Sequence, residues 1–281
     1  MSWTVHKFGG SSLADAACFR RVAAIVMDQP PGNACVVVSA IGGMTDALLD
    51  LISDASSEQD SAAAIMALRE RYSGIVEALL ESEGARELVA QFDADVADIE
   101  SVLKALALVK TASNRSRDMV SGFGELWSAR LLAALLRAQV GGDETVSFID
   151  ARDILVVEAS EMGVGVVWEL AQDRCREHIP EDFSGKVVVT GFIARDRDGL
   201  QCNLGRNGSD YSASIFGALL GAEAVNIWTD VEGVMSGDPR RVPEATVIDA
   251  ISYSEAMELA YFGAKVIHPQ TMAPAVAQDI P

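Results

Sequence analysis

The chain has 281 residues, 49% of them apolar, and a formal net charge of -19. That charge argues against nucleic acid or an anionic membrane as a partner, and no run reaches the roughly 18 to 20 uncharged residues needed to cross a bilayer. Cys18, Cys35, Cys175 and Cys202 lack metal-ligand spacing and read as reduced thiols of a cytoplasmic protein, and the start, Met1-Ser2-Trp3, carries no expected signal peptide.

Trp3 to Phe8 alternates as a strand, Gly9-Gly10-Ser11-Ser12 turns, and a helix follows from about Leu13 to Met27. Ser12-Leu13-Ala14-Asp15 has capping-box spacing, with Asp in place of Glu or Gln. Lys7 stands at the strand's end, where its side chain can reach an anion held by the glycine turn. Because the lysine precedes the glycines, this is neither a Walker A loop nor a Gly-x-Gly-x-x-Gly fingerprint. Ala34 to Val38 reads as a buried parallel strand and Thr45 to Asp54 as a helix. Residues 60 to 110, rich in Ala, Glu and Leu at helical spacing, predict two or three helices in a lid-like insertion. Gly124 to Ala138 predicts a helix with Trp127, Leu131 and Leu135 on one face. Thr145 to Ile149 is a strand pattern and Val164 to Glu177 a helical one. Strands Lys186 to Ile193 and Leu200 to Leu204 flank the hairpin turn Asp196-Arg197-Asp198-Gly199.

A second glycine turn comes next, Gly205-Arg206-Asn207-Gly208-Ser209-Asp210-Tyr211, opening a helix over Tyr211 to Leu220. Glycines at a strand-to-helix turn let the backbone approach a ligand, and the helix start offers N–H groups to an anion. Arg206 adds a fork suited to carboxylate or phosphate, and Asp210 sets an acid beside it. The plainer reading is a turn with Ser209 as N-cap. Two strand–glycine–helix turns, each with a cation at its tip, point to two anionic groups bound side by side, as phosphoryl transfer requires. Strand Ala224 to Trp228 and helices Ser252 to Phe262 and about Pro269 to Ala277 complete the series. The pattern implies an α/β fold with a mostly parallel sheet between helix layers.

These motifs, with Ser39-Ala40 and Thr45, Gly124-Glu125, Trp228-Thr229-Asp230-Val231, Asp238-Pro239-Arg240 and Phe262-Gly263-Ala264-Lys265-Val266-Ile267-His268-Pro269, occur in the order found in aspartate kinases. The sequence resembles that family, within the amino-acid kinase superfamily, over almost its whole length. The Ser-Ser-Leu-Ala-Asp and Trp-Ser-Ala-Arg wording is most similar to bifunctional aspartokinase–homoserine dehydrogenases. The resemblance implies a three-layer α/β/α sandwich, residues 1–281 being the kinase catalytic domain. The chain stops at Pro281, where the family continues into further strands and paired regulatory ACT modules. It also implies transfer of the γ-phosphoryl of MgATP to the β-carboxylate of L-aspartate, and a cytoplasmic homodimer.

An aspartate side chain, with pKa near 4, is already ionised at neutral pH, so the reaction needs no general base. It needs positioning, and positive charge on the phosphoryl oxygens. By resemblance, Lys7 spans donor and acceptor, and Asp210 either orients Lys7 or helps hold the magnesium-bound phosphates. Arg206 holds a substrate carboxylate, with Asn207, Gly208 and Ser209 lining the same pocket. Glu125 meets the substrate ammonium, although a helix start alone would explain its charge. Thr45 contacts the substrate, which is compatible with capping the next helix. On the nucleotide side the resemblance names Phe8, Gly9, Gly10, Thr229, Asp230, Met235, Arg240, Lys265 and Val266 beside Lys7. No metal ligand of the protein's own is expected beyond the Mg2+ that accompanies ATP.

Two positions depart from the family: Met235 where Tyr commonly precedes Asp-Pro-Arg, and Phe123 where Ser or His precedes Gly-Glu. Two alternatives stay open. One is a kinase for another small carboxylate such as glutamate. The other is a non-catalytic binding or dimerisation module with this fold.

Overall fold

The computed structural model describes residues 2–57, 60–141, 144–160, 163–238, 241–261 and 269–281. The first half comprises β1 (Trp3–Phe8), α1 (Ala16–Met27), β2 (Asn33–Val38), α2 (Met44–Ser56), α3 (Ala62–Leu79), α4 (Ser82–Val109), α5 (Asn114–Ser121) and α6 (Phe123–Gln139). Then come β3 (Thr145–Ile149), α7 (Ala151–Ile154), β4 (Val157–Ser160), β5 (Gly163–Val166), α8 (Trp168–His178) and β6 (Gly185–Thr190). The last part holds β7 (Ile193–Arg195), β8 (Gln201–Asn203), α9 (Gly208–Leu220), β9 (Ala224–Trp228), α10 (Tyr253–Tyr261) and α11 (Pro269–Val276).

Five strands form one parallel sheet in the order β3-β6-β2-β1-β9. Its central strand β2 is buried at every residue. Side chains alternate across a strand, so Val36 and Val38 enter one core, with α1 to α4 and α6, while Cys35 and Val37 enter the other, with α7 to α9. A sheet covered on both faces is the expected setting for parallel strands, and three layers result. The register pairs Phe8 with Val38 and Trp228, and Val38 with Thr190. The strands therefore end level, and the loops after β1, β2, β6 and β9 emerge at one edge, where α/β folds place ligands.

The structure corrects several expectations. The helix after the first glycine turn starts at Ala16: Asp15 is its N-cap, accepting from the Cys18 N–H at 2.8 Å, and Gly10–Leu13 forms a separate 3-10 turn. Asp15 thus caps directly rather than closing a box from Ser12. Thr45 lies inside α2, whose N-cap is Gly43 at φ 75°. Residues 60–110 are no lid, because α3 and α4 contribute Tyr72, Phe92, Ile99 and Leu103 to the main core. The Tyr72 and Phe92 rings lie 4.6 Å apart, and Phe92 meets Trp127 of α6 at 4.4 Å. Each such pair contributes about 0.5–1.5 kcal/mol beyond simple burial. Asp95 then bolts α4 to α6, accepting from Trp127 Nε1 at 2.9 Å and Arg130 Nη1 at 2.6 Å. Helix α8 starts at Trp168, since Gly163–Val166 pairs with β4 instead, and the strand expected over 186–193 breaks after Thr190.

Candidate functional site

The loops at the carboxyl edge enclose a cavity of about 470 Å³. Lys7, near the end of β1, reaches across it, and its Nζ lies 2.6 Å from Oδ1 of Asp210 in the first turn of α9. Both side chains are largely buried, at 12% and 16% exposure, and that carboxylate oxygen has no partner besides the ammonium. The acid also sits well with the positive end of α9. Arg206 lies exposed at the rim and pairs with no carboxylate among the described residues. Asn207, at φ 55°, is the N-cap of α9, a conformation that asparagine tolerates.

The opposite wall is the start of α6. Glu125 is 3% exposed, its carboxyl lies near the backbone of residue 125 and of Ala40, and its Oε2 is buried without a hydrogen-bond partner among the described residues. Burial pushes its carboxyl up to about 8, which favours the neutral form at pH 7. Ser128 fixes this helix to the loop after β2 by donating to the Ser39 carbonyl at 2.6 Å. Ser39 Oγ in turn meets Ser209 Oγ at 2.8 Å.

A turn of rare type closes the cavity floor. Ile193 N–H donates to the Gly191 carbonyl at 2.7 Å, placing Phe192 at φ 67°. A bulky residue rarely adopts that backbone; here the Phe192 N–H is held by Ser212 Oγ at 3.0 Å and its carbonyl by the Leu204 N–H at 2.8 Å. A Cβ on Gly191 would sit 2.8 Å from the Ser209 Cβ and Oγ and 2.9 Å from the Val38 carbonyl. Gly191→Ala is therefore expected to cost about 1–3 kcal/mol of stability, as overpacking does. Urea unfolding would show it as a lower midpoint at unchanged slope.

Of the residues expected from sequence, Lys7, Gly9, Gly10, Thr45, Glu125, Arg206, Asn207, Gly208, Ser209 and Asp210 all line this cavity. Two details differ. Ser209 is inside α9 rather than its cap, and the Gly208 N–H is turned to the Gly205 carbonyl at 3.0 Å, closing a turn instead of facing the cavity. Phe8, Thr229, Asp230 and Met235 lie off the cavity wall. The Phe8 ring is buried and stacked on Trp228, Thr229 donates to the neighbouring Asp230 carboxylate at 3.1 Å, and Met235 bridges to Val247. Arg240, Lys265 and Val266 fall outside the described residues. Phe192, the Gly42-Gly43 pair and Asp46 line the wall without having been singled out. Phe192 and the two glycines carry no chemical signature in sequence, and Asp46 reads there as an ordinary acid in the first turn of α2.

The described wall contains no histidine. His6 is buried within the sheet layer, held near pKa 4 by burial, and accepts from Trp228 Nε1 at 3.3 Å. No cluster of three His, Cys, Asp or Glu occurs among the described residues. Among the described residues the wall offers two cations, Lys7 and Arg206, for anions, and three carboxyl groups, of which Glu125 is buried and Asp210 is paired with Lys7.

The sequence matches the family described as "Amino acid kinase family" over residues 2–281. The bifunctional aspartokinase/homoserine dehydrogenase of Daucus carota is 40% identical over 281 residues, 99% of this chain and 30% of that protein. Lysine-sensitive aspartokinase 3 of Escherichia coli is 34% identical, over 99% of this chain and 60% of that protein. The crystal structure of E. coli aspartokinase III with aspartate and ADP superposes with a TM-score of 0.84 at 32% identity, over 99% of this chain and 60% of the other. The chain thus spans about a third of the length of the bifunctional relatives that it matches.

Proposed function

The chain belongs to the amino acid kinase family, and from that premise we propose that it is the aspartokinase part of a larger protein. It moves the γ-phosphoryl group of MgATP to the β-carboxylate of L-aspartate, giving 4-phospho-L-aspartate and MgADP. One observation carries the choice of acceptor. A single cavity gathers a free guanidinium, an ammonium paired with an acid, and a buried carboxyl whose Oε2 has no partner. Aspartate carries three charges that complement these: an α-carboxylate for Arg206, an α-ammonium for Glu125, and a β-carboxylate that meets the phosphoryl group beside Lys7. An acceptor without an ammonium would leave Glu125 buried and unpaired.

The steps follow from these groups. The β-carboxylate oxygen attacks Pγ as the bond to the β,γ-bridging oxygen breaks, and the electron pair leaves on ADP. The nucleophile arrives ionised, so the step requires no base. Lys7 neutralises charge on the transferring oxygens, and the 2.6 Å contact supports Asp210 as the group that orients it. Mg2+ enters with ATP as part of the substrate. Thr229, Asp230, Met235, Arg240, Lys265 and Val266 belong to the nucleotide side in this reading, and Thr45, Asn207, Gly208 and Ser209 to the acceptor side. Residues 1–281 act as the catalytic domain of a cytoplasmic homodimer.

Acyl-phosphate trapping by hydroxylamine tests the proposal directly. The full-length protein with MgATP should form hydroxamate with aspartate and far less with glutamate or N-acetylglutamate. A well-folded protein that forms none with aspartate would sink it.

A further inference from the structure

The glycine turn after β1 and the loop after β2 touch through bare backbone. A Cβ on Gly10 would lie 3.0 Å from the Ala40 carbonyl oxygen, and one on Gly42 would lie 2.9 Å from that of Gly10. No backbone hydrogen bond joins residues 9–13 to residues 40–43 among the described residues. A side chain from outside ties the loop after β2 to Ala14, the residue that follows the Gly10–Leu13 turn. Arg71, on α3, donates from Nη2 to the Gly42 carbonyl at 2.5 Å and to the Ala14 carbonyl at 3.3 Å. Its Nη1 lies 3.7 Å from the point where Gly43 would carry a Cβ. Arg71 is absent from the cavity wall and has no carboxylate partner among the described residues. Helix α3 is braced in turn by Arg20 of α1, which donates to the Ala78 carbonyl.

We infer that Arg71 is a positioning residue for phosphoryl transfer: it sets the gap between the Gly9-Gly10 turn and the Gly43-to-Thr45 start of α2. The inference rests on the aspartokinase reading, in which the first segment faces the phosphates and the second the acceptor. Past the Ser39 N–H bond to the Phe8 carbonyl at 3.1 Å, the two glycine backbones meet only in van der Waals contact. Nη2 meets both carbonyls with its two N–H bonds fixed in the guanidinium plane, whereas an ammonium on a flexible stem fixes no such direction. If the bridge is lost the two walls drift, and a misplacement of about 1 Å costs on the order of 100-fold in catalytic efficiency.

The test compares the full-length wild type with Arg71→Met, which keeps the apolar stem and removes every donor, and with Arg71→Lys. Arg69→Met serves as control, because Arg69 lies on the same helix but pairs with exposed Asp93 at 2.7 Å. Arg71→Met should raise the KM for both aspartate and ATP and lower kcat, with kcat/KM down about 100-fold as expected for such a misplacement. Arg71→Lys should fall between the two, and added methylguanidinium should restore part of the Arg71→Met activity. Arg69→Met should match wild type. Wild-type kcat and both KM values in Arg71→Met would overturn the inference, as would an activity loss that thermal melts assign wholly to unfolded protein. Calorimetric binding of aspartate and of MgADP separates this from the reaction itself. If the wild type binds but does not turn over, the aspartokinase reading fails, and equal affinities of wild type and Arg71→Met still overturn the role of Arg71. A wild type that binds neither ligand overturns both.

Discussion

Lys7→Ala should lower kcat for aspartate-dependent hydroxamate formation by at least about 100- to 1,000-fold, the usual effect of removing one preorganised group that stabilises developing charge. The KM for aspartate should change far less, because the ammonium acts on the transferring phosphoryl oxygens more than on the bound ground state. Part of the loss arises from Asp210. Its carboxylate sits 2.6 Å from the ammonium and is only 16% exposed. Without Lys7 it becomes an uncompensated negative charge facing an anionic donor. The double variant Lys7→Ala/Asp210→Asn should therefore recover some activity relative to Lys7→Ala alone, a coupling that a double-mutant cycle reads directly. Equal rates for the single and double variants would remove Asp210 from the orienting role, and an undiminished Lys7→Ala would remove Lys7 from the phosphoryl site.

Glu125→Gln should affect acceptor affinity and stability in opposite directions. Removing one partner of a buried charge pair costs about 2–5 kcal/mol, so the KM for aspartate should rise about 100-fold. The empty protein should gain from the same change. The Glu125 carboxyl titrates near 8 in the fold against 4.5 for the free group. Between those values the folded state holds a proton that the unfolded chain has lost, so stability falls as pH rises from 4.5 to 8 and levels off above. At about 1.4 kcal/mol per pH unit, the fully developed cost is on the order of 5 kcal/mol. Thermal melts should show Glu125→Gln matching wild type near pH 4.5 and exceeding it by roughly 5–10 °C above pH 8. Parallel melting curves across that range would show that burial does not govern this carboxyl.

The sheet was legible because its strands are β-branched runs broken by glycine, as in Ala34 to Val38 and Lys186 to Thr190. Both glycine turns announced their cavity-lining residues through charge: Lys7, Arg206 and Asp210 are polar groups where a strand meets a helix. What sequence missed was set by distant partners. Whether residues 60–110 form a lid or part of the core depends on Phe92 meeting Trp127, and local periodicity cannot report that contact. The break after Thr190 depends on Ser212 and Leu204 holding Phe192 at positive φ. Arg71 reads as one charge in an Arg69-Glu70-Arg71 run until α3 is folded against the Gly42 and Ala14 carbonyls. Val164 to Val166 reads as helical in sequence because its valines fit either period, and only pairing with β4 decides.

The strand order has a consequence for synthesis on the ribosome. β1 lies between β2 and β9, so one of its edges is filled as soon as Val38 has emerged, while the other waits for Trp228. Roughly 190 residues separate those events, or about 10–40 s at a translation rate of about 5–20 residues per second. Throughout that interval the nascent chain carries a half-paired strand whose free N–H and C=O groups are a template for other extended chains. The Lys7–Asp210 and Ser39–Ser209 contacts mature on the same late schedule, since both need α9. The wall that α9 supplies to the cavity thus forms only when about three quarters of these residues are outside the exit tunnel.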